Sequence, residues 1–138
     1  MARKGTGGCA CGQIRYEFEG EPRQILACHC SYCQARSGSA FGMSLFLDAD
    51  ALRITQGEVK TYRRMADSGR PAETGFCPNC GTQIYGRPQW RPDTVVLKPG
   101  TLDDRSWIKP QMHIWTKSKQ PWVMIPDDVP SLAEQTPS

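Results

Sequence analysis

Seven cysteines carry the chemistry that this chain can be read for. They fall in three groups: Cys9 and Cys11, then Cys28, Cys30 and Cys33, then Cys77 and Cys80. A closed tetrahedral zinc site takes four ligands, whereas a reactive one takes three from the protein and keeps a position open. Seven thiols therefore divide into one site of each kind. Cys77-Pro78-Asn79-Cys80-Gly81 has the form of a zinc knuckle, two thiols across a tight turn ended by Gly, and needs a second pair from elsewhere in the chain. Cys9 and Cys11 supply that pair. Two residues of extended strand span roughly 6.6 Å, so the backbone must bend at Ala10 or Gly12 to bring these sulfurs onto one ion. The expected cofactors are two Zn per chain, a structural one on Cys9, Cys11, Cys77 and Cys80 and a labile, catalytic one on Cys28, Cys30 and Cys33. Two other readings of the triplet stand beside the open site: a redox pair, and a second closed site with His29 or His113 as fourth ligand. Of the two histidines His113 is better placed. His29 lies between two ligands, and neighbouring side chains of an extended segment point to opposite faces.

The elements that must position these thiols read as short strands. From Gln13, the apolar Ile14, Tyr16 and Phe18 alternate with Arg15, Glu17 and Glu19, the two-residue period of a half-buried strand. Residues 23–27 form a second strand that delivers Cys28. Residues 31–36 form a helical turn with Ser31 as its cap, broken by Ser37-Gly38-Ser39. Residues 41–47 are the most apolar run and read as a buried strand, residues 48–52 as one helical turn, and residues 58–64 as a further strand. Residues 65–71 are expected to be a mobile loop. Gln83-Ile84-Tyr85 is the return strand of the second knuckle, residues 87–93 are a loop, and residues 94–97 and 111–115 are strands. With 13 glycines, 11 prolines and no long apolar run, the expected fold class is mainly β with little helix. The 138 residues fit a single domain, 1–138, with a loose lead-in over 1–6, the metal-binding body over 7–130 and a flexible tail over 131–138.

The formal charge of +3 counts every cysteine as neutral. Seven thiolates on two zinc ions remove about three charges and leave the folded chain near neutral, since coordinating thiols are deprotonated. The cations are also scattered, as Arg63 and Arg64, Arg87 and Arg91, and Lys117 and Lys119, without a basic tail, which argues against a nucleic-acid partner. Neither a signal peptide nor a membrane-spanning run is evident, so the expected location is cytoplasmic, with no membrane partner. In that compartment thiols stay reduced, which favours metal ligation over disulfides. A homodimer is compatible with the sequence.

Gly7-Gly8-Cys9-Ala10-Cys11-Gly12, Cys28-His29-Cys30-Ser31-Tyr32-Cys33 followed by Ser37-Gly38-Ser39-Ala40-Phe41, Gly75-Phe76-Cys77-Pro78-Asn79-Cys80-Gly81, Gly100-Thr101-Leu102-Asp103-Asp104, and residues 113–122 from His113-Ile114-Trp115 to Gln120-Pro121-Trp122 come in this order. Together they resemble the glutathione-dependent formaldehyde-activating enzyme family, which also includes centromere protein V. The resemblance runs from about residue 5 to 130. It implies an Mss4-like fold of twisted antiparallel sheets stapled by zinc, and the same division into a structural and a catalytic zinc. It also implies addition of glutathione to formaldehyde, a carbon-sulfur lyase reaction in reverse, with a small-molecule thiol and an aldehyde as partners.

Three thiolates neutralise a zinc ion and weaken it as an acid, which suits it to handling thiols rather than activating water. Glutathione carries two carboxylates, so Arg36, Lys117 and Lys119 are candidate substrate cations. Trp115 and Trp122 are candidate pocket walls. His113 is a candidate proton carrier, because an ordinary imidazole titrates near neutrality. The rival class is a non-enzymatic interaction module with both zincs structural, and the number of protein ligands on the middle ion separates the two.

Overall fold

A computed structural model describes residues 3–65 and 71–135. Among these residues the chain is mainly β, with one α-helix and two sheets, one of three strands in the order Arg3–Gly8, Arg15–Gly20, Leu52–Gln56 and one of seven in the order Met112–Ile114, Gln24–Cys28, Gly42–Asp48, Thr94–Leu97, Gln83–Pro88, Pro71–Phe76, Lys60–Met65. Its contacts divide it into two compact units, one of residues 1–23 and 45–107 and the other of residues 24–44 and 108–138.

The first unit begins with β1 (Arg3–Gly8), paired antiparallel to β2 (Arg15–Gly20) from Arg3↔Gly20 to Gly8↔Arg15. The lead-in expected over residues 1–6 is thus already a sheet strand from Arg3. Its glycines are small because aromatic rings lie on them: a Cβ at Gly7 would sit 2.4 Å from Tyr16 Oη, and one at Gly5 would sit 2.5 Å from Phe18 Cε1. Tyr16, Phe18 and Ile14 are buried, as the alternation requires. β5 (Leu52–Gln56) completes this sheet on the far side of β2. The helical turn expected over residues 48–52 is instead a tight turn, closed by the Ala51 amide on the Asp48 carbonyl at 2.9 Å, which feeds β5.

The same unit holds β6 (Lys60–Met65), β7 (Pro71–Phe76), β8 (Gln83–Pro88) and β9 (Thr94–Leu97), each antiparallel to the next. The loop expected over 65–71 is strand at both ends, Met65 closing β6 and Pro71 opening β7; residues 66–70 lie outside the described residues. β7 escapes a hydrophobic reading because its buried Thr74-Gly75 pair is small: a Cβ at Gly75 would meet the Tyr85 ring at 2.4 Å. β4 (Gly42–Asp48) starts in the second unit and ends in the first, where its last residues pair with β9.

The second unit holds β3 (Gln24–Cys28), α1 (Ser31–Ser37) and β10 (Met112–Ile114). β10 runs parallel to β3, with His113 opposite Ala27 and Ile114 opposite Cys28, a parallel pair within the expected antiparallel architecture. The free side of β10 is covered by the segment after Pro130. His113 N–H donates to Pro130 O at 3.0 Å, Leu132 N–H to His113 O at 2.9 Å, and Trp115 N–H to Glu134 O at 3.1 Å. The tail expected to fray from residue 131 is therefore tied down as far as Glu134, while 136–138 lie outside the described residues. Among the described residues, no helix is long and apolar enough to cross a membrane.

Candidate metal centres and active site

Cys9, Cys11, Cys77 and Cys80 come together within the first unit, their Sγ atoms all within 4.8 Å of one another. Cys9 and Cys11 sulfurs are 3.5 Å apart, and Cys11 and Cys77 sulfurs 3.8 Å. Tetrahedral zinc with bonds of about 2.3 Å requires sulfurs about 3.8 Å apart, so the cluster has the dimensions of a four-thiolate zinc site. Two local turns make it. In the first, Gly12 adopts φ +83° and its N–H returns to Cys9 O at 3.1 Å, which supplies the bend that two ligands one residue apart require. In the second, Gly81 adopts φ +81° and returns to Cys77 O at 2.8 Å. Both are positions where a side chain would be strained.

Amide donors aim at these sulfurs: Ile14 N–H at Cys9 Sγ (3.2 Å), Asn79 Nδ2 at Cys11 Sγ (3.3 Å) and Cys80 N–H at Cys77 Sγ (3.5 Å). Such donors favour thiolate over thiol. The Thr82 hydroxyl lies 3.1 Å from Cys80 Sγ and holds that thiol down to about 5, helped by the Thr82 and Cys11 backbone. Burial pushes Cys9 up, but the Ile14 amide and the Cys11 and Cys77 sulfurs outweigh it and leave it below its ordinary value. Burial dominates at Cys77 and raises it.

Cys28, Cys30 and Cys33 form the other group, half-buried within the second unit, their sulfurs again within 4.8 Å of one another. Cys28 ends β3, and Cys30 caps α1: its Sγ accepts from Cys33 N–H at 3.3 Å. The cap expected at Ser31 therefore falls one residue earlier, where a thiol does the work of a hydroxyl. Gly38, at φ +65°, ends the helix. Gly42 keeps β4 close behind Cys33, since a Cβ there would come 3.3 Å from Cys33 Cβ. The Cys28 thiol is raised, first by its hydrogen bond with Cys33 and then by burial; Cys30 is raised by burial. A metal ion bound here would displace these protons, because coordinating thiols are deprotonated.

Neither histidine joins this group. His113 shares a sheet face with Ala27, whereas Cys28 shares the opposite face with Ile114. The His113 ring is buried, and its Nδ1 lies 2.8 Å from Nε2 of the fully buried His29; burial lowers the pKa of both imidazoles. Sequence reasoning missed this pair, although the opposite facing of His29 relative to its cysteine neighbours was legible. It also missed Gln34, whose Nε2 donates to His29 O (2.8 Å) and Ser118 O (2.9 Å) while its Oε1 accepts from Gln120 Nε2 (2.7 Å).

The candidate substrate cations are not equivalent. Lys119 Nζ donates to the Gln120 and Val123 carbonyls at 3.2 and 2.9 Å. Lys117 pairs with Glu134 at 2.5 Å and lies 5.0 Å from the Trp115 ring. Arg36, in the last turn of α1, stacks over Tyr32 at 5.3 Å and enters no ion pair among the described residues. Trp115 is the one non-glycine with positive φ (58°) among the described residues, at the point where β10 gives way to a 3-10 turn. Trp122 is 70% exposed, so it is no core residue.

A β frame that gathers cysteines into one group of four and one group of three, each able to hold a metal ion, defines a class of protein organised around thiolate metal sites. Within that class, the model of the glutathione-dependent formaldehyde-activating enzyme family matches residues 4–118, and the chain belongs to that family. It is also similar to a crystal structure of a Rhodobacter sphaeroides protein, at 21% identity over 76% of this chain and 91% of that one, with a TM-score of 0.57, a likeness of fold.

Proposed function

We propose that the protein is a zinc-dependent carbon-sulfur lyase-type enzyme that joins a thiol, glutathione or a close relative, to a small aldehyde such as formaldehyde. The observation that carries this reading is the group of three half-buried cysteines with no fourth ligand among the described residues. A module with two structural zincs would need that fourth ligand, and neither His29 nor His113 groups with the three thiols. A zinc ion on Cys28, Cys30 and Cys33 would supply Lewis acidity to a substrate thiol or carbonyl oxygen.

The chain's own residues do the rest. Cys30 and Cys33 are fixed to one helix end, which sets the thiols before substrate arrives. Arg36, the least engaged of the three candidate cations, is the residue proposed to receive a glutathione carboxylate. Lys117 and Lys119 are proposed to frame this site rather than to bind substrate, because their ammonium groups are already spent on the segment around them, and Trp115 joins the frame with its ring against Lys117. In the reaction the thiol sulfur bonds to the aldehyde carbon, the carbonyl π pair moves to oxygen, and the thiol proton ends on that oxygen. Nothing is oxidised or lost. His113 lies on the face away from Cys28 and is not the proposed proton carrier.

Exchange between formaldehyde and glutathione, followed by nuclear magnetic resonance, tests the reading. The wild type should accelerate exchange, and Cys30→Ser should abolish the acceleration while keeping the fold and one zinc per chain. Exchange no faster with the wild type than without protein overturns the named reaction.

A further inference from the structure

We propose that the buried His29–His113 pair is a positioning element for the three-thiol site, a peg that turns Cys28 and Cys30 to one side by holding the residue between them on the other. This rests on the three-thiol reading and adds residues that make no contact with the ion or substrate.

Four observations carry it. His29 is fully buried although it sits between two half-buried cysteines, so the segment is anchored at its middle. Three of its groups are engaged: the N–H donates to Ile114 O at 3.0 Å, the carbonyl accepts from Gln34 Nε2 at 2.8 Å, and ring Nε2 meets His113 Nδ1 at 2.8 Å. The remaining atom, Nδ1, is buried without a hydrogen-bond partner among the described residues. His113 is anchored in turn, its backbone bonded to Pro130 and Leu132 on the free side of β10.

Filling space does not account for the pair. The His29 ring packs against Phe41 and His113, with ring centroids 5.0 and 5.1 Å away, an environment that a phenyl ring would fill without an orphaned nitrogen. What histidine adds is direction: one hydrogen bond to His113 sets the rotation of the ring. Since side chains alternate along an extended chain, a ring fixed toward Ala27 and His113 places Cys28 and Cys30 together on the opposite side. Groups that orient a metal site through a hydrogen bond typically change its affinity about 10–100-fold when removed.

The test is a zinc titration of the full chain against a chromophoric chelator, repeated with cobalt(II) for the thiolate absorption bands. His29→Phe and His113→Phe keep ring volume and lose the hydrogen bond. His29→Gln and His113→Asn place an amide where Nε2 and Nδ1 now lie. The expected result is that each Phe variant weakens one of two bound ions by about 10–100-fold, alters that ion's cobalt bands, and leaves the other ion and the melting temperature close to wild type. The Gln and Asn variants should recover most of the loss. Phe variants that bind both ions as the wild type does overturn the proposal. So do Phe variants that lose both ions and the fold together, and amide variants no better than Phe. A wild type that holds one ion only overturns the three-thiol reading itself, before any variant is compared.

Discussion

Tyr16 shows how one residue serves packing and polarity together. Its ring lies over Gly7, and its hydroxyl reaches Thr101 Oγ1 at 2.7 Å, which in turn donates a hydrogen bond to Lys98 O at 2.7 Å. Burial pushes its pKa up to about 12. An unfolded tyrosine loses its proton near 10, so between about 10 and 12 the folded state holds a proton that the unfolded state has released, and stability falls as pH rises through that window. The loss amounts to about 2–3 kcal/mol at its end. Tyr16→Phe should be less stable at pH 8 yet flatter above pH 10 in denaturant titrations, and a variant curve parallel to wild type across that range would contradict the assignment. At this scale the sequence was most legible for cysteine, because the groups its spacing defines are the groups the structure brings together. It was least legible for His29, whose partner lies 84 residues away and leaves no mark in local pattern.

At the scale of elements, strands that bury alternate residues were readable and strands that make room for others were not. β2 follows from Ile14, Tyr16 and Phe18. β1 and β7 are poor in apolar residues because they lie beneath aromatic rings of the strand beside them, at Gly7 under Tyr16 and at Gly75 under Tyr85. Their burial is written in the partner strand. Gly7→Ala puts a Cβ 2.4 Å from both Thr101 O and Tyr16 Oη. Overpacking of this kind typically costs about 1–3 kcal/mol. Chemical denaturation should show that loss, while Gly12 and Gly38, which face open space, should owe the cost of an Ala substitution to positive φ alone. A Gly7→Ala protein as stable as wild type would mean that β1 can shift away from β2. The knuckle turns were legible in outline, since two thiols one residue apart demanded a bend. Which residue would bend, Ala10 or Gly12, was settled by φ.

On the scale of the whole chain the two thiol groups differ in what they tie together. Cys11 and Cys77, with sulfurs 3.8 Å apart, are 66 residues apart in sequence, whereas Cys28 and Cys33 are neighbours along a single turn of chain. If a metal bridge restrains the unfolded chain as a covalent cross-link does, closing the long loop contributes about 4 kcal/mol and the short one about 2 kcal/mol, before either ion's binding energy. The short bridge also adds little to the folded state, where Cys30 already caps α1 and His29 is held by Gln34, Ile114 and His113. Zinc-loaded Cys77→Ser should therefore melt at least about 10 °C below wild type, and Cys30→Ser only a few degrees below it. Calorimetry on the two variants, with metal content measured on the same samples, decides this. Equal losses would mean that the three-thiol group also supports the fold, and the assignment of one structural and one reactive site would fall with it.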